Sequence, residues 1–147
     1  MNISFLFGTE TGNAEMLADD LNMAFEEQHD TRVANLQDTT VQDLQTADLN
    51  IIVCSSYGDG DLPGSAQAFA SVLQKERPDL SGVRFAMFGL GDMEYASTFG
   101  HGSMKLATLL VECGAQSIGA RVVHDASNDE MVEDMAIPWA ENVVGSL

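Results

Sequence analysis

Short apolar runs alternate with helical patterns along this chain, and that alternation constrains its fold more than any other feature. The runs are Ile3–Phe7, Ile51–Cys54, Val83–Leu90 and Ala120–Val123, with a weaker one at Arg32–Leu36. Between the first two strong runs, Leu17, Leu21, Ala24 and Phe25 fall on one helical face, while Asp19, Asp20, Glu26 and Glu27 take the other. A second helix is expected from roughly Ser65 to Lys75. A third is expected from about Ser103 to Cys113, with Gly114 as its C′ residue. A fourth occupies the C-terminus. Pro138 falls inside that last pattern, so the helix either begins near the proline or is kinked there.

Strand alternating with helix predicts a parallel α/β sheet. Apolar runs suit strands covered on both faces, and Arg32–Leu36 suits an edge. Right-handed crossovers leave few topologies. Five strands fit a doubly wound parallel sheet of order 2-1-3-4-5 with helices on both faces, in one domain over residues 1–147. In such a sheet the ligand crevice lies at the carboxyl ends of the strands, where strand order reverses beside strands 1 and 3.

Three polar loops sit where that crevice would be. Gly8-Thr9-Glu10-Thr11-Gly12-Asn13 follows the first strand and opens a helix. A helix start carries unpaired N–H groups and the positive dipole end, so this loop suits an anion such as a phosphate. It reads equally well as a capped turn with Thr11 or Asn13 as the cap. It is neither a P-loop nor a G-x-G-x-x-G fingerprint. Ser55-Ser56-Tyr57-Gly58-Asp59-Gly60-Asp61 follows the third strand, and Gly89-Leu90-Gly91-Asp92-Met93-Glu94-Tyr95 the fourth. These two loops hold the only tyrosines of the chain. Each alone could be a turn with a surface tyrosine. Together they could present two aromatics to a flat ring, and with the first loop they describe a flavin mononucleotide site.

Composition narrows the partners. Six Lys and Arg stand against 23 Asp and Glu, a formal charge of −17. Nucleic acid binding needs cations this chain lacks. The acidity suits solubility and also steering toward a basic partner. No run approaches the roughly 18 apolar residues of a membrane span, and no basic leader precedes the first strand, so a cytoplasmic protein is expected. Cys54 and Cys113 match no metal spacing and are expected to be reduced, buried thiols. His29, His101 and His124 suggest no metal, and His101 is expected to face solvent. The eight methionines are expected mostly in the core, with Met93 the exception.

On these motifs the chain resembles the flavodoxin-like family, chiefly its short-chain members, and also the FMN domains of diflavin reductases. The family's phosphate motif, Thr/Ser-x-Thr-Gly-x-Thr, corresponds to Thr9-Glu10-Thr11-Gly12-Asn13-Ala14, with Ala14 in place of threonine. Ser55-Ser56-Tyr57-Gly58-Asp59-Gly60-Asp61-Leu62-Pro63 resembles its Ser/Thr-Tyr-Gly-x-Gly-Asp loop. Gly89-Leu90-Gly91-Asp92 with Tyr95 and Phe99 resembles its Gly-Leu-Gly loop, with one extra residue between the two aromatics.

The resemblance implies FMN as cofactor and one-electron transfer from a basic-faced flavin reductase to an acceptor redox enzyme, by a transient monomer. It implies that Thr9, Glu10, Thr11, Gly12 and Asn13 hold the phosphate. Tyr57 and Tyr95 would sandwich the ring. Ser56, Gly58, Asp59 and Gly60 would edge it near N5, Gly91 and Asp92 would meet its pyrimidine edge, and Ser55, Leu90 and Phe99 would complete the cofactor-binding set. Two rival readings are a small FMN-dependent reductase of quinones or nitro compounds and a non-flavin interaction module. A receiver-like module would need a lysine after a later strand, and none fits.

Overall fold

The computed structural model describes residues 1–8, 12–55, 64–91, 101–119, 121–125 and 131–147. Its elements run β1 (Asn2–Gly8), α1 (Asn13–Phe25), β2 (Asp30–Asn35), a 3-10 turn (Leu36–Asp38), α2 (Val41–Thr46), β3 (Leu49–Ser55), α3 (Gly64–Glu76), β4 (Arg84–Gly91), α4 (His101–Glu112), β5 (Gln116–Ser117), β6 (Val122–Asp125) and α5 (Val132–Gly145). All described pairings are parallel, in the order β2-β1-β3-β4-β5, and β6 also pairs with β4. The doubly wound order expected from the sequence is therefore present. The fifth position is filled by two short pieces, with Gly119 at φ 72° between them.

Strand alternation divides the core in two. Ile3, Phe5 and Phe7 of β1, Leu49, Ile51 and Val53 of β3, and Ala86 and Phe88 of β4 face α1 and α5. Their intervening neighbours Leu6, Ile52, Cys54, Phe85 and Met87 face α3 and α4. Helix α1 packs on β1, β2 and β3, whereas α5 packs chiefly against α1 and α3 against the 3-10 turn and α4.

Several helical expectations need correction. Leu17, Leu21 and Phe25 are buried on α1 as expected, but Ala24 is exposed, and Ala14 and Ala18 lie on the buried face instead. Helix α2 was not anticipated. Its signal is Thr40-x-x-Asp43, a capping box in which Thr40 Oγ1 accepts from the Asp43 N–H and Asp43 accepts from the Thr40 N–H at 2.9 Å. That backbone bond, with the Thr40 hydroxyl and Arg32 nearby, holds the Asp43 carboxyl below its ordinary range. Helix α5 starts at Val132 and runs through Pro138. The missing proline N–H leaves the carbonyl of Asp134 without its helical donor, and Asp134 is exposed to water. Gly114 is the C′ residue of α4 at φ 105°. Its N–H bonds to Val111 and that of Ala115 to Leu110, a Schellman closure.

The methionines overturn the core expectation. Met1, Met16, Met23, Met104 and Met131 are exposed, Met16 and Met23 by about two thirds, and Met87 alone among those described is fully buried. Met93 lies outside the described residues.

Cys54 and Cys113 are free and buried. Burial pushes the Cys54 thiol from an ordinary 9.0 up to about 12. Alkylation by iodoacetamide at pH 8 should accordingly leave Cys54 unmodified in native protein, and mass spectrometry should find it labelled only in denaturant. The sign for stability follows. A thiol held neutral in the fold stabilises below the unfolded value near 9.0, and that contribution is lost as pH rises toward about 12.

Candidate cofactor site

Register shows where the loops leave the sheet. Gly8, the last residue of β1, lies beside Cys54; Cys54 lies beside Gly89; and Gly89 lies beside Val123. One step further, Ser55 pairs with Leu90 and Leu90 with His124; beyond them Gly91 pairs with Asp125. Neighbouring strands are about 4.8 Å apart. The loops after β1, β3, β4 and β6 therefore depart from one short stretch of the carboxyl edge. Three of them are the loops singled out in the sequence. The fourth, after β6, was not anticipated because its strand is short and broken.

Of the residues expected to hold the cofactor, Gly12, Asn13, Ser55, Leu90 and Gly91 are described, and all belong to this edge or to the helix start beside it. Thr9, Glu10, Thr11, Ser56, Tyr57, Gly58, Asp59, Gly60, Asp92, Tyr95 and Phe99 lie outside the described residues. The same holds for the side chain of His101.

The start of α1 is built for an anion. Its N-cap is Gly12 at φ 92° and ψ −4°, a left-handed conformation that glycine adopts without strain, and the cap residue itself has no side chain to bond the first turn. The cap position therefore falls on Gly12 and not on Asn13, while Thr11 lies outside the described residues. The N–H groups of the first turn thus face the carboxyl edge with the dipole behind them. Ala14 is fully buried against the sheet, so the position where the family motif has threonine contributes a core methyl instead. Neutral backbone donors at a helix start fit a phosphate monoester at this end of the edge.

At the other end, the first turn of α4 lies on β4. Ser103 is completely buried, and its Oγ occupies the space a side chain at Gly89 would need. Arg121, just before β6, donates from Nη1 to that Oγ at 2.9 Å. The sequence reading missed this arrangement, since Gly89 was read for its loop and Arg121 not at all. The remaining signal was a glycine two residues inside a strand end, which marks close approach of another element.

The family model described as Flavodoxin matches residues 5–139. The chain belongs to the flavodoxin family. Flavodoxins bind FMN and carry electrons. Protein MioC of Escherichia coli is 32% identical over 146 residues, covering 99% of this chain and 98% of its own. An NADPH-dependent diflavin oxidoreductase of Emericella nidulans is 35% identical over 138 residues, covering 91% of this chain but 21% of the relative. The chain thus spans about a fifth of that relative and nearly all of MioC. Flavodoxin 2 from Bacillus cereus superposes with a TM-score of 0.86 at 25% identity, covering 100% of both chains. Among the described residues of this flavodoxin, no three His, Cys, Asp or Glu side chains could share a metal ion, and no helix is long and apolar enough to cross a membrane.

Proposed function

We propose that this flavodoxin holds FMN at the carboxyl edge of its sheet and carries single electrons from a basic-faced flavin reductase to an acceptor redox enzyme, as a carrier rather than as an enzyme. What carries this reading is the meeting of the β1, β3 and β4 ends with the start of α1, whose N-cap is a glycine. Bound FMN supplies the redox chemistry, and the protein supplies position and electrostatics. Thr9, Thr11, Gly12 and Asn13 would hold the phosphate by hydroxyl and backbone N–H groups, with Glu10 turned outward. Tyr57 and Tyr95 would close on the two faces of the ring. Ser55, Ser56, Gly58, Asp59 and Gly60 would border its N5 side. Leu90, Gly91, Asp92 and Phe99 would border the pyrimidine side.

The test is an absorbance titration of the apoprotein with FMN, followed by slow anaerobic reduction. Saturable binding, with a long-wavelength band that grows and then decays as electrons enter, supports the one-electron carrier. Absence of binding rejects the site, and bleaching in a single step rejects one-electron transfer. Tyr57→Ala and Tyr95→Ala should each weaken FMN binding about 10–100-fold, since aromatic stacking on a flat base is worth about 1–3 kcal/mol. Quenching of FMN fluorescence reads that change.

The charge of −17 bears on the partners. Stopped-flow electron transfer with a basic-faced reductase should slow about tenfold or more between low salt and about 1 M salt. Rates indifferent to salt would remove steering from the reading.

A further inference from the structure

Four of the six cations, Arg32, Lys75, Arg77 and Lys105, are exposed. Arg32 pairs with Asp43 at 3.5 Å and Arg77 with Glu112 at 3.1 Å, both on the surface. Lys75 ends α3, Arg84 begins β4 at the amino edge, and Lys105 is exposed on α4. Arg121 is different. It is part-buried like Arg84, but it reaches Ser103 over Gly89 near the carboxyl end of β4, and removal from water disfavours its charged form. A chain with so few cations has placed one of them where a cation is costly.

Its surroundings show what it touches. The Nη1 atom donates to Ser103 Oγ, and Ser103 is fully buried in the first turn of α4. Ser103 in turn sits on Gly89, where a Cβ would collide with its Oγ and would lie 3.1 Å from a Val123 methyl. One point therefore joins β4, the helix that follows it, and the fifth strand position. Gly89 lies two residues before the end of β4, about 7 Å at the usual rise. The guanidinium is then about one Debye length or less from the carboxyl edge, and partial burial weakens screening further.

We propose that Arg121 is a positioning residue for the flavin, fixing the start of α4 on β4 through Ser103 and holding a permanent positive charge beneath the carboxyl edge that favours electron entry. The inference rests on FMN occupying that edge. In a protein of charge −17, adding an electron to a bound flavin meets repulsion from many acids. A single fixed cation behind the sheet edge offsets part of it without appearing on the docking surface.

The experiment compares the wild-type protein with Arg121→Met, Arg121→Lys and Lys105→Met, each reconstituted with FMN. Three quantities are read: apoprotein thermal stability, FMN dissociation constant, and midpoint potential. Arg121→Met should favour oxidised over reduced FMN about tenfold more than wild type does, a midpoint about 59 mV lower for a one-electron couple. Arg121→Lys keeps the charge and should restore most of that shift. Lys105→Met removes the same charge from an exposed site and should move the potential less than a third as far. A lower apoprotein stability with an unchanged potential would make Arg121 merely structural and overturn the proposal. An equal shift in Lys105→Met would also overturn it, because total charge would then suffice. If Arg121→Met does not fold, a wild-type potential in a variant with both Arg121→Gln and Ser103→Ala would reject the proposal in the same way. Failure of wild-type protein to bind FMN would instead reject the reading on which the proposal rests.

Discussion

Phe88→Ala should lower the stability of the fold by about 3–5 kcal/mol, the usual cost of removing a buried phenylalanine. Phe88 is fully buried in β4, on the face covered by α1 and α5. Its ring meets Trp139 of α5 at 5.2 Å between centroids, tilted by 60°. That geometry adds an edge-to-face attraction to the area buried. The loss should be large because the neighbours are strands, which cannot collapse into the space. Trp139 is the only tryptophan of the chain, so its emission reports on this one contact. Urea unfolding followed by tryptophan fluorescence should show an earlier midpoint and a red-shifted native spectrum. Phe88→Leu should cost less, because more of the volume is kept. A loss below about 1 kcal/mol for Phe88→Ala would mean that α5 does not pack as described.

Asn50→Asp should destabilise about as much at neutral pH and much less in acid. Asn50 is completely buried in β3, on the face of α3 and α4. Its Nδ2 donates to the carbonyls of Leu44 at 3.1 Å and Arg84 at 3.2 Å. Its Oδ1 is buried and has no hydrogen-bond partner. Aspartate would aim a carboxylate at two carbonyl oxygens, so the group must be protonated to stay inside. Protonating a carboxyl of ordinary pKa at pH 7 costs about 4 kcal/mol. The sign is fixed by the direction of the shift. A carboxyl whose pKa is raised in the fold is tolerated below its unfolded value, near 4, and the tolerance is lost as pH rises. Denaturation midpoints at pH 4 and pH 7 measure the difference. Asn50→Leu, which carries no charge, should lose about 1–3 kcal/mol for each carbonyl left unpaired, independent of pH. A pH-independent Asn50→Asp would show that water reaches the site.

The sheet was legible because its strands carry their own evidence. Val83–Leu90 and Ile51–Cys54 are apolar on both faces, which only a covered strand needs. The run Ala120–Val123 announced β6, but β5 ahead of it was not legible, because it is two residues long, both exposed, and gives no periodicity. On α1, Ala24 matched the helical period but faces water, whereas the small residues Ala14 and Ala18 pack where α1 crosses the sheet closely. Alanine is too weakly apolar to show which side it takes. The methionines misled for a related reason, since an unbranched thioether is tolerated on either side of the surface. At the site, glycine spacing revealed the loops and the edge they share. The contact of Gly89 with Ser103 and Arg121 joins residues far apart in sequence, and no local pattern announces it.

The break in the last strand also protects the molecule from its own kind. A parallel sheet ends in two rows of backbone groups that another sheet could extend. At the far side, β5 and β6 interrupt the row with Gly119, so a straight strand laid against it would find no continuous register. At the near side, β2 exposes Asp30 and Arg32, charges that an incoming strand would have to strip of water. A fold that presents its redox loops at one end of the sheet thus leaves neither long border open to templated growth.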